Sequence, residues 1–313
     1  MYVPVSGIVR KVFLISFLFL FGCTIEAPEK TTPPENQVPV PLSFDAGIIN
    51  TKVPIVSVSG VPTVQIDGIQ VLRQDVHKNS SPTWNTVSSV TTTASFFTTG
   101  SFIATPKQFY NSNQNQYAHF TAYYPGVNEN AVATTLSNGV ATFTITGQED
   151  IISAPSASAQ GNGNPIPVAL TFSHKLSQVQ IYIKAASAGA ISAWGNITTV
   201  KATSPTVLTL NVSTQALAQH ATPAVTDLST GKPSQALTTD FVSFGSILVY
   251  PGALTIKVAS ANVPEQTVTI TPSITTVAGS AHRIDLTFTA TAINFSATLT
   301  DWVTGTAGTG TVQ

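Results

Sequence analysis

The run Val168-Ala-Leu-Thr-Phe-Ser-His-Lys-Leu-Ser-Gln-Val-Gln-Ile-Tyr-Ile-Lys184 decides the fold. Val168, Leu170 and Phe172 share one face and Leu176 keeps their phase. Val179, Ile181 and Ile183 then carry the apolar face on the opposite parity. Side chains alternate with period two along a strand, so this spacing reads as β-structure buried on one face. A change of parity inside one strand needs an extra residue, which predicts a β-bulge near Ser177 and Gln178. Turn punctuation, Gly161-Asn162-Gly163-Asn164-Pro165, stands just before the run. The run therefore reads as the opening strand of a second β-domain.

The same grammar fills the chain on both sides. Val64, Ile66, Ile69 and Val71 flank Asp67-Gly68, which predicts a two-residue hairpin with all four apolar residues on one face. Further strands are expected around 95–103, 117–124 and 140–146. Beyond the Gly161–Pro165 break, alternation recurs at Leu208-Leu210-Val212, Leu254-Ile256-Val258, Val268-Ile270, Ile284-Leu286-Phe288 and Ile293-Phe295-Ala297-Leu299. Residues 213–239 have weak periodicity and are expected to form a surface excursion. No window of eleven residues outside the N-terminus carries a helical stripe. Many short strands with turn signals between them predict an all-β protein of two β-sandwiches.

The chain begins with targeting information. Arg10-Lys11 precede the apolar run Val12–Phe21, too short to span a bilayer as a finished helix. Leu20-Phe21-Gly22-Cys23 then reads as a lipobox, with the only cysteine of the chain as lipid acceptor. Several acyl chains on one residue anchor firmly where a single chain is marginal. Pro28, Pro33, Pro34, Pro39 and Pro41 stiffen the segment that follows into a spacer. The expected layout is a lipoprotein signal peptide over 1–22, a tether over 23–41, and β-sandwich domains over 42–164 and 165–313.

Composition narrows the function. Net charge is −1 and only 9% of residues are charged, against about a quarter in ordinary soluble proteins. Nucleic acid is not an expected partner, because no basic stripe exists to hold it. A single cysteine allows no intrachain disulfide. His77, His119, His174, His220 and His282 show no metal-ligand spacing, so no metal or cofactor is expected. His174 follows the apolar face of its strand and reads as a hydrogen-bonded structural residue. Glu149-Asp150 reads as a turn carboxylate pair. No nucleophile elbow, phosphate loop or calcium loop occurs, and the chain does not read as an enzyme. Trp84, Trp194 and Trp302, with Phe96-Phe97 and Tyr123-Tyr124, are the candidates for a sugar platform, which keeps a surface glycan-binding lipoprotein for nutrient uptake as the alternative function.

Several segments, in order, resemble the fimbrillin-like proteins of the Mfa/FimA superfamily, the type V pilus subunits of Bacteroidetes. They are Leu42-Ser43-Phe44-Asp45 with Thr51-Lys52, His119-Phe120-Thr121-Ala122-Tyr123-Tyr124-Pro125, Asp150-Ile151-Ile152-Ser153-Ala154, Leu170–Val179, Ile284-Asp285-Leu286-Thr287 and Asp301-Trp302. The resemblance implies two tandem transthyretin-like β-sandwiches and a surface-exposed lipoprotein of the cell outer membrane or its fimbriae. It implies a stalk, tip, anchor or accessory subunit that partners other pilus subunits by donor-strand exchange and adheres to host or bacterial surface receptors. It also implies proteolytic maturation after an early basic residue. Lys52 and Arg73 are the candidates, with Lys52 the better placed. Lys52 stands where processed members of the family carry Arg.

Overall fold

The computed structural model describes residues 40–48, 57–125, 133–159, 167–268 and 273–301. Strands dominate them. In chain order they are β1 (Phe44–Ile48), β2 (Ser57–Val58), β3 (Val61–Pro62), β4 (Ile66–His77), β5 (Thr92–Phe96), β6 (Phe102–Thr105) and β7 (Gln116–Tyr124). Next come β8 (Ala133–Ser137), β9 (Val140–Thr144), β10 (Ile152–Ala159), β11 (Val168–His174), β12 (Ser177–Ala185), β13 (Ile197–Pro205) and β14 (Val207–Asn211). The last are β15 (Leu217–Gln219), β16 (Val225–Ser229), β17 (Val242–Val249), β18 (Ile256–Ser260), β19 (Gln266–Val268), β20 (Ser280–Phe288) and β21 (Ile293–Asp301). One α-helix, α1 (Ala188–Trp194), lies between β12 and β13. Ser187 caps its first turn, and Gly195, at φ +64°, ends it.

The largest sheet has seven strands in the order β1-β11-β10-β7-β4-β5-β6. Three four-stranded sheets follow: β17-β12-β20-β21, β16-β13-β18-β19 and β15-β14-β9-β8. Two cores result. One lies on a single face of the seven-stranded sheet, around Phe96, Phe120, Leu170 and Phe172. The edges β1 and β6 approach each other across this face, so the sheet curls over its own core. The other core fills the space between the β12 sheet and the β13 sheet, with Val179, Ile181 and Ile284 facing Val200, Ile256 and Val258. It runs on without a break into Phe143 and Leu208 and the reverse face of the seven-stranded sheet at Leu72 and Tyr123.

The run 168–184 is two strands, not one bulged strand. β11 closes the seven-stranded sheet and β12 opens a different one, with Lys175 and Leu176 passing the chain between them. A bulge and a change of sheet break the parity in the same way, and only the partner strands tell them apart. The run 197–211 does the same, with β13 in one sheet and β14 in another. The hairpin β8-β9 therefore pairs with β14, from far along the chain. The sheets do not divide at residue 164, since β11 joins the earlier strands and β9 joins the later one.

Other expectations need correction. Asp67-Gly68 is not a hairpin turn but an irregularity within β4. The register against β5 shifts between Ile66 and Ile69, and Gly68 takes φ +76°. An extra residue with glycine in the left-handed region is a bulge, and it returns Ile66, Ile69 and Val71 to one buried face. Val64 lies outside that face and is 71% exposed. The strand expected over 95–103 is the turn between β5 and β6, where Phe97 N–H donates to Ser101 carbonyl at 2.8 Å. The excursion over 213–239 contains β15 and β16, and buries Leu228 and Leu237. Val40 and Pro41, within the segment expected as tether, bond to Tyr110 and Phe109.

Candidate functional site

Phe44-Asp-Ala-Gly-Ile48 alternates large apolar and small or polar residues, which gives β1 one apolar face. Phe44, Ala46 and Ile48 turn to the core of the curled sheet, and Ile48 is buried. β1 runs parallel to β11, with Phe44 opposite Val168 and Ile48 opposite Phe172. The Phe44 ring lies 5.5 Å from Phe102 and 5.2 Å from Phe120, the second contact edge-on at 83°. Such aromatic contacts contribute about 0.5–1.5 kcal/mol beyond the area they bury.

Among the described residues the other edge of β1 has no strand ladder. Loops hold its two ends instead. Leu42 N–H donates to the Gln108 carbonyl at 2.8 Å, Tyr110 N–H to the Val40 carbonyl at 3.0 Å, and Ile48 N–H to the Gly60 carbonyl at 2.9 Å. Pro41 bridges Phe109. Burial pushes the Tyr110 phenol above its ordinary pKa, against a smaller opposing effect of its hydrogen bond with Ser43. Between these clips a groove of about 410 Å³ separates the two sheet edges. Leu42, Phe44, Phe102, Ile103, Lys107 and Gln108 are among the residues lining it.

Arg73 lies in β4 with β7 laddered along one side, and its backbone N–H donates to Thr91 Oγ1 on the other. Its guanidinium grips Asp75 through Nε at 2.8 Å and Nη2 at 3.0 Å, and reaches Gln108 Oε1 through Nη1 at 3.1 Å. It also sits 5.5 Å from the Phe120 ring centroid. This peptide is extended and laddered on one side to β7, beyond the end of the β5 pairing at Val71. The structure connects Arg73, through Gln108, to the loop that clips the start of β1. Cys23, Lys52 and Trp302 lie outside the described residues.

The remaining candidates are structural. Trp84 and Trp194 are each 3% exposed, and Phe96, Tyr123 and Tyr124 are also buried, so the aromatic platform does not form from them. Trp194 donates its indole N–H to the Thr289 carbonyl and packs 5.0 Å from Phe288. His174 Nδ1 pairs with Asp150 in the interior, next to the passage from β11 to β12. Glu149 accepts from the Thr146 backbone N–H at 2.7 Å, closing the turn after β9. Burial holds His282 below its ordinary pKa, in keeping with its Nε2 accepting from Val277 N–H at 3.1 Å. Among the described residues no three His, Cys, Asp or Glu side chains converge as a metal site.

The sequence profile of the fimbrillin-like proteins matches residues 62–302. The chain belongs to the fimbrillin-like family. The match begins after β1, so the strand with the open edge precedes the matched region. Among solved structures this fimbrillin-like chain is similar to a protein of Bacteroides uniformis described as a cell adhesion protein. The TM-score is 0.58 at 18% identity, over 87% of this chain and 100% of that one. A protein of Bacteroides ovatus, also described as a cell adhesion protein, gives the same TM-score and identity over 86% and 100%. A fimbrial protein of Bacteroides vulgatus gives 0.52 at 16% identity over 82% and 99%. Likeness at such identities establishes the shared fold. No curated protein matches the chain.

Proposed function

We propose that this fimbrillin-like chain is a cell-surface fimbrial or adhesion subunit. In this reading lipid on Cys23 holds the exported chain at the outer membrane before maturation, and β1 is the strand exchanged during assembly. The observation that carries the reading is the seat of β1. One edge is laddered to β11, the other carries no strand among the described residues, and loop bonds clip its two ends. Loss of β1 would uncover the backbone of β11 and the apolar face formed by Phe102, Phe120 and Phe172. A strand with alternating apolar residues from a second copy would satisfy both. The names borne by the similar Bacteroides proteins favour adhesion and fimbriae. No catalytic step belongs to this reading.

Maturation after Lys52 would cut just beyond β1 and free it from covalent connection. Full burial of a side chain the size of Phe or Ile contributes roughly 1.5–3 kcal/mol. After cleavage β1 is therefore held by a modest sum that a better-fitting strand can exceed. Sequencing the N-terminus of protein extracted from cells and filaments tests this. Filament protein beginning just after Lys52 is the expected result. Filament protein that begins uniformly at an acylated Cys23 overturns strand exchange at β1. Labelled fatty acid should enter the wild type and not Cys23→Ala; equal incorporation removes the anchor.

A further inference from the structure

The inward residues of β12, Val179, Ile181 and Ile183, leave Gln180, Tyr182 and Lys184 on the outer face of the sheet β17-β12-β20-β21. β20 runs parallel beside β12 and sets Arg283 opposite Gln180 and Asp285 opposite Tyr182. On this face two cations share one aromatic ring. Lys184 Nζ is 4.4 Å from the Phe241 centroid, and the Arg283 guanidinium carbon is 5.8 Å from it. The same guanidinium lies 4.0 Å from the Tyr182 centroid. Its Nε donates to Asp285 Oδ1 at 2.8 Å, and the Arg283 side chain is 40% exposed. Among the described residues Lys184 has no carboxylate partner and the Nη edge of Arg283 has no acceptor.

We propose that this face binds an acidic polysaccharide, with Lys184 and Arg283 recognising its carboxylates. An aromatic ring restrains a cation without neutralising it, which is the state of Lys184, while Arg283 also shares its charge with Asp285 through Nε. Two long side chains are thus fixed in place before any ligand arrives, which lowers the ordering cost of binding. The open edge of the guanidinium matches a carboxylate in a way that an ammonium does not. Asp285 holds Arg283 through Nε, and Lys232 donates to the Ser243 carbonyl, so the local excess of positive charge is small. That balance disfavours densely charged nucleic acid. Gln180 stands opposite Arg283 and Ser243 opposite Tyr182, so amide and hydroxyl side chains border the cations. They suit a hydroxyl-rich chain with widely spaced acids better than an acidic peptide, which would need apolar pockets or an open strand edge. The site stands apart from β1 and its binding does not require assembly.

The test uses the full mature chain, with immobilised oligogalacturonate as the probe. Its methyl-esterified form and poly-glutamate serve as comparisons. Binding to oligogalacturonate is expected, weakened about tenfold or more by esterification, as loss of charge-assisted hydrogen bonds requires. Lys184→Gln combined with Arg283→Gln should weaken it to a similar extent with the thermal midpoint retained. Lys184→Gln alone, which removes only the contact with Phe241, should weaken it by a smaller factor and serves if the double variant is unstable. Binding that is absent in the wild type, or unchanged in both variants, overturns the proposal. Binding of poly-glutamate as tight as that of the uronate also overturns it, and assigns the face to an acidic protein.

Discussion

β1 and β12 each run parallel to a neighbouring strand, and the chain treats them in opposite ways. β12 has nine residues, ladders on both sides with β17 and β20, and inward residues with no exposure. β1 has five residues, one ladder, and a ring at Phe44 that is only partly buried. A parallel strand inside a sheet has all its backbone groups committed, while one at an edge has half of them uncommitted. The core under β12 is continuous with most of the molecule. The core under β1 is confined to one curled sheet. Removing β12 would dismantle two layers, whereas removing β1 opens one side of one layer. The difference identifies which strand the protein can give up.

The contrast is broken most directly by placing a carboxylate in each strand. Ile181→Asp should abolish folding, because an unpaired buried carboxylate costs more than the whole stability of an ordinary domain can offset. Ala46→Asp should leave a folded protein whose amides over 40–48 exchange rapidly while those of β12 stay protected. Hydrogen exchange read by mass spectrometry decides it. Global unfolding by Ala46→Asp would make β1 as essential as β12.

Next in size is Asp150→Ala, which removes the carboxylate that pairs with His174 Nδ1 where the chain leaves β11 for β12. A loss of roughly 1–3 kcal/mol, the cost of a lost buried hydrogen bond, is expected in chemical denaturation. Asp150→Asn, which keeps a hydrogen-bonding group, should lose less. Gly68→Ala follows. It places a side chain at φ +76° and should cost about 1 kcal/mol, with β4 and β5 still paired. The smallest effect is electrostatic. Lys257 Nζ bonds to Asp227 Oδ2 at 2.7 Å on the outer face of the β13 sheet. Hydrogen bonds from Lys257 first, and then Thr203, hold the Asp227 carboxyl below its ordinary value of 3.8. Its folded pKa lies under its unfolded one. The contribution is therefore present above the unfolded value and fades as pH falls through the folded one. Thermal midpoints measured from pH 5 down to pH 2 should decline slightly less steeply in Asp227→Asn than in the wild type.

Alternation made β7, β9 and β20 legible, because each keeps one parity from end to end and buries the face that its apolar residues define. What escaped depends on partners distant in the chain. Asp67-Gly68 has the composition of a turn, yet β5 supplies a ladder on both sides of it and converts it to a bulge. The parity break after Leu176 has two physical causes, and only the positions of β10 and β20 choose between them. Phe44 could be placed on the first strand from its neighbours, but Phe102 and Gln108, which shape the groove, carried no local signal. The polar alternation of Gln180, Tyr182 and Lys184 marked an outward face. It could not show that Arg283 and Phe241 would meet there. Trp84 and Trp194 were the conspicuous aromatics, and both serve the interior.

The parallel sense of β1 and β11 has a mechanical consequence. When two parallel neighbours are drawn by the N-terminal end of one and the C-terminal end of the other, the load runs along the ladder. The bonds from Phe44–Val168 to Ile48–Phe172 then share the force and must fail together. An antiparallel pair pulled from one end peels a bond at a time. A pull on the chain ahead of Val40, resisted through His174 and β12, therefore acts on β1 in shear. Shear resistance is a property of the unfolding rate and not of equilibrium stability. A strand that is thermodynamically easy to replace is thus slow to be torn out by a pull along its own axis.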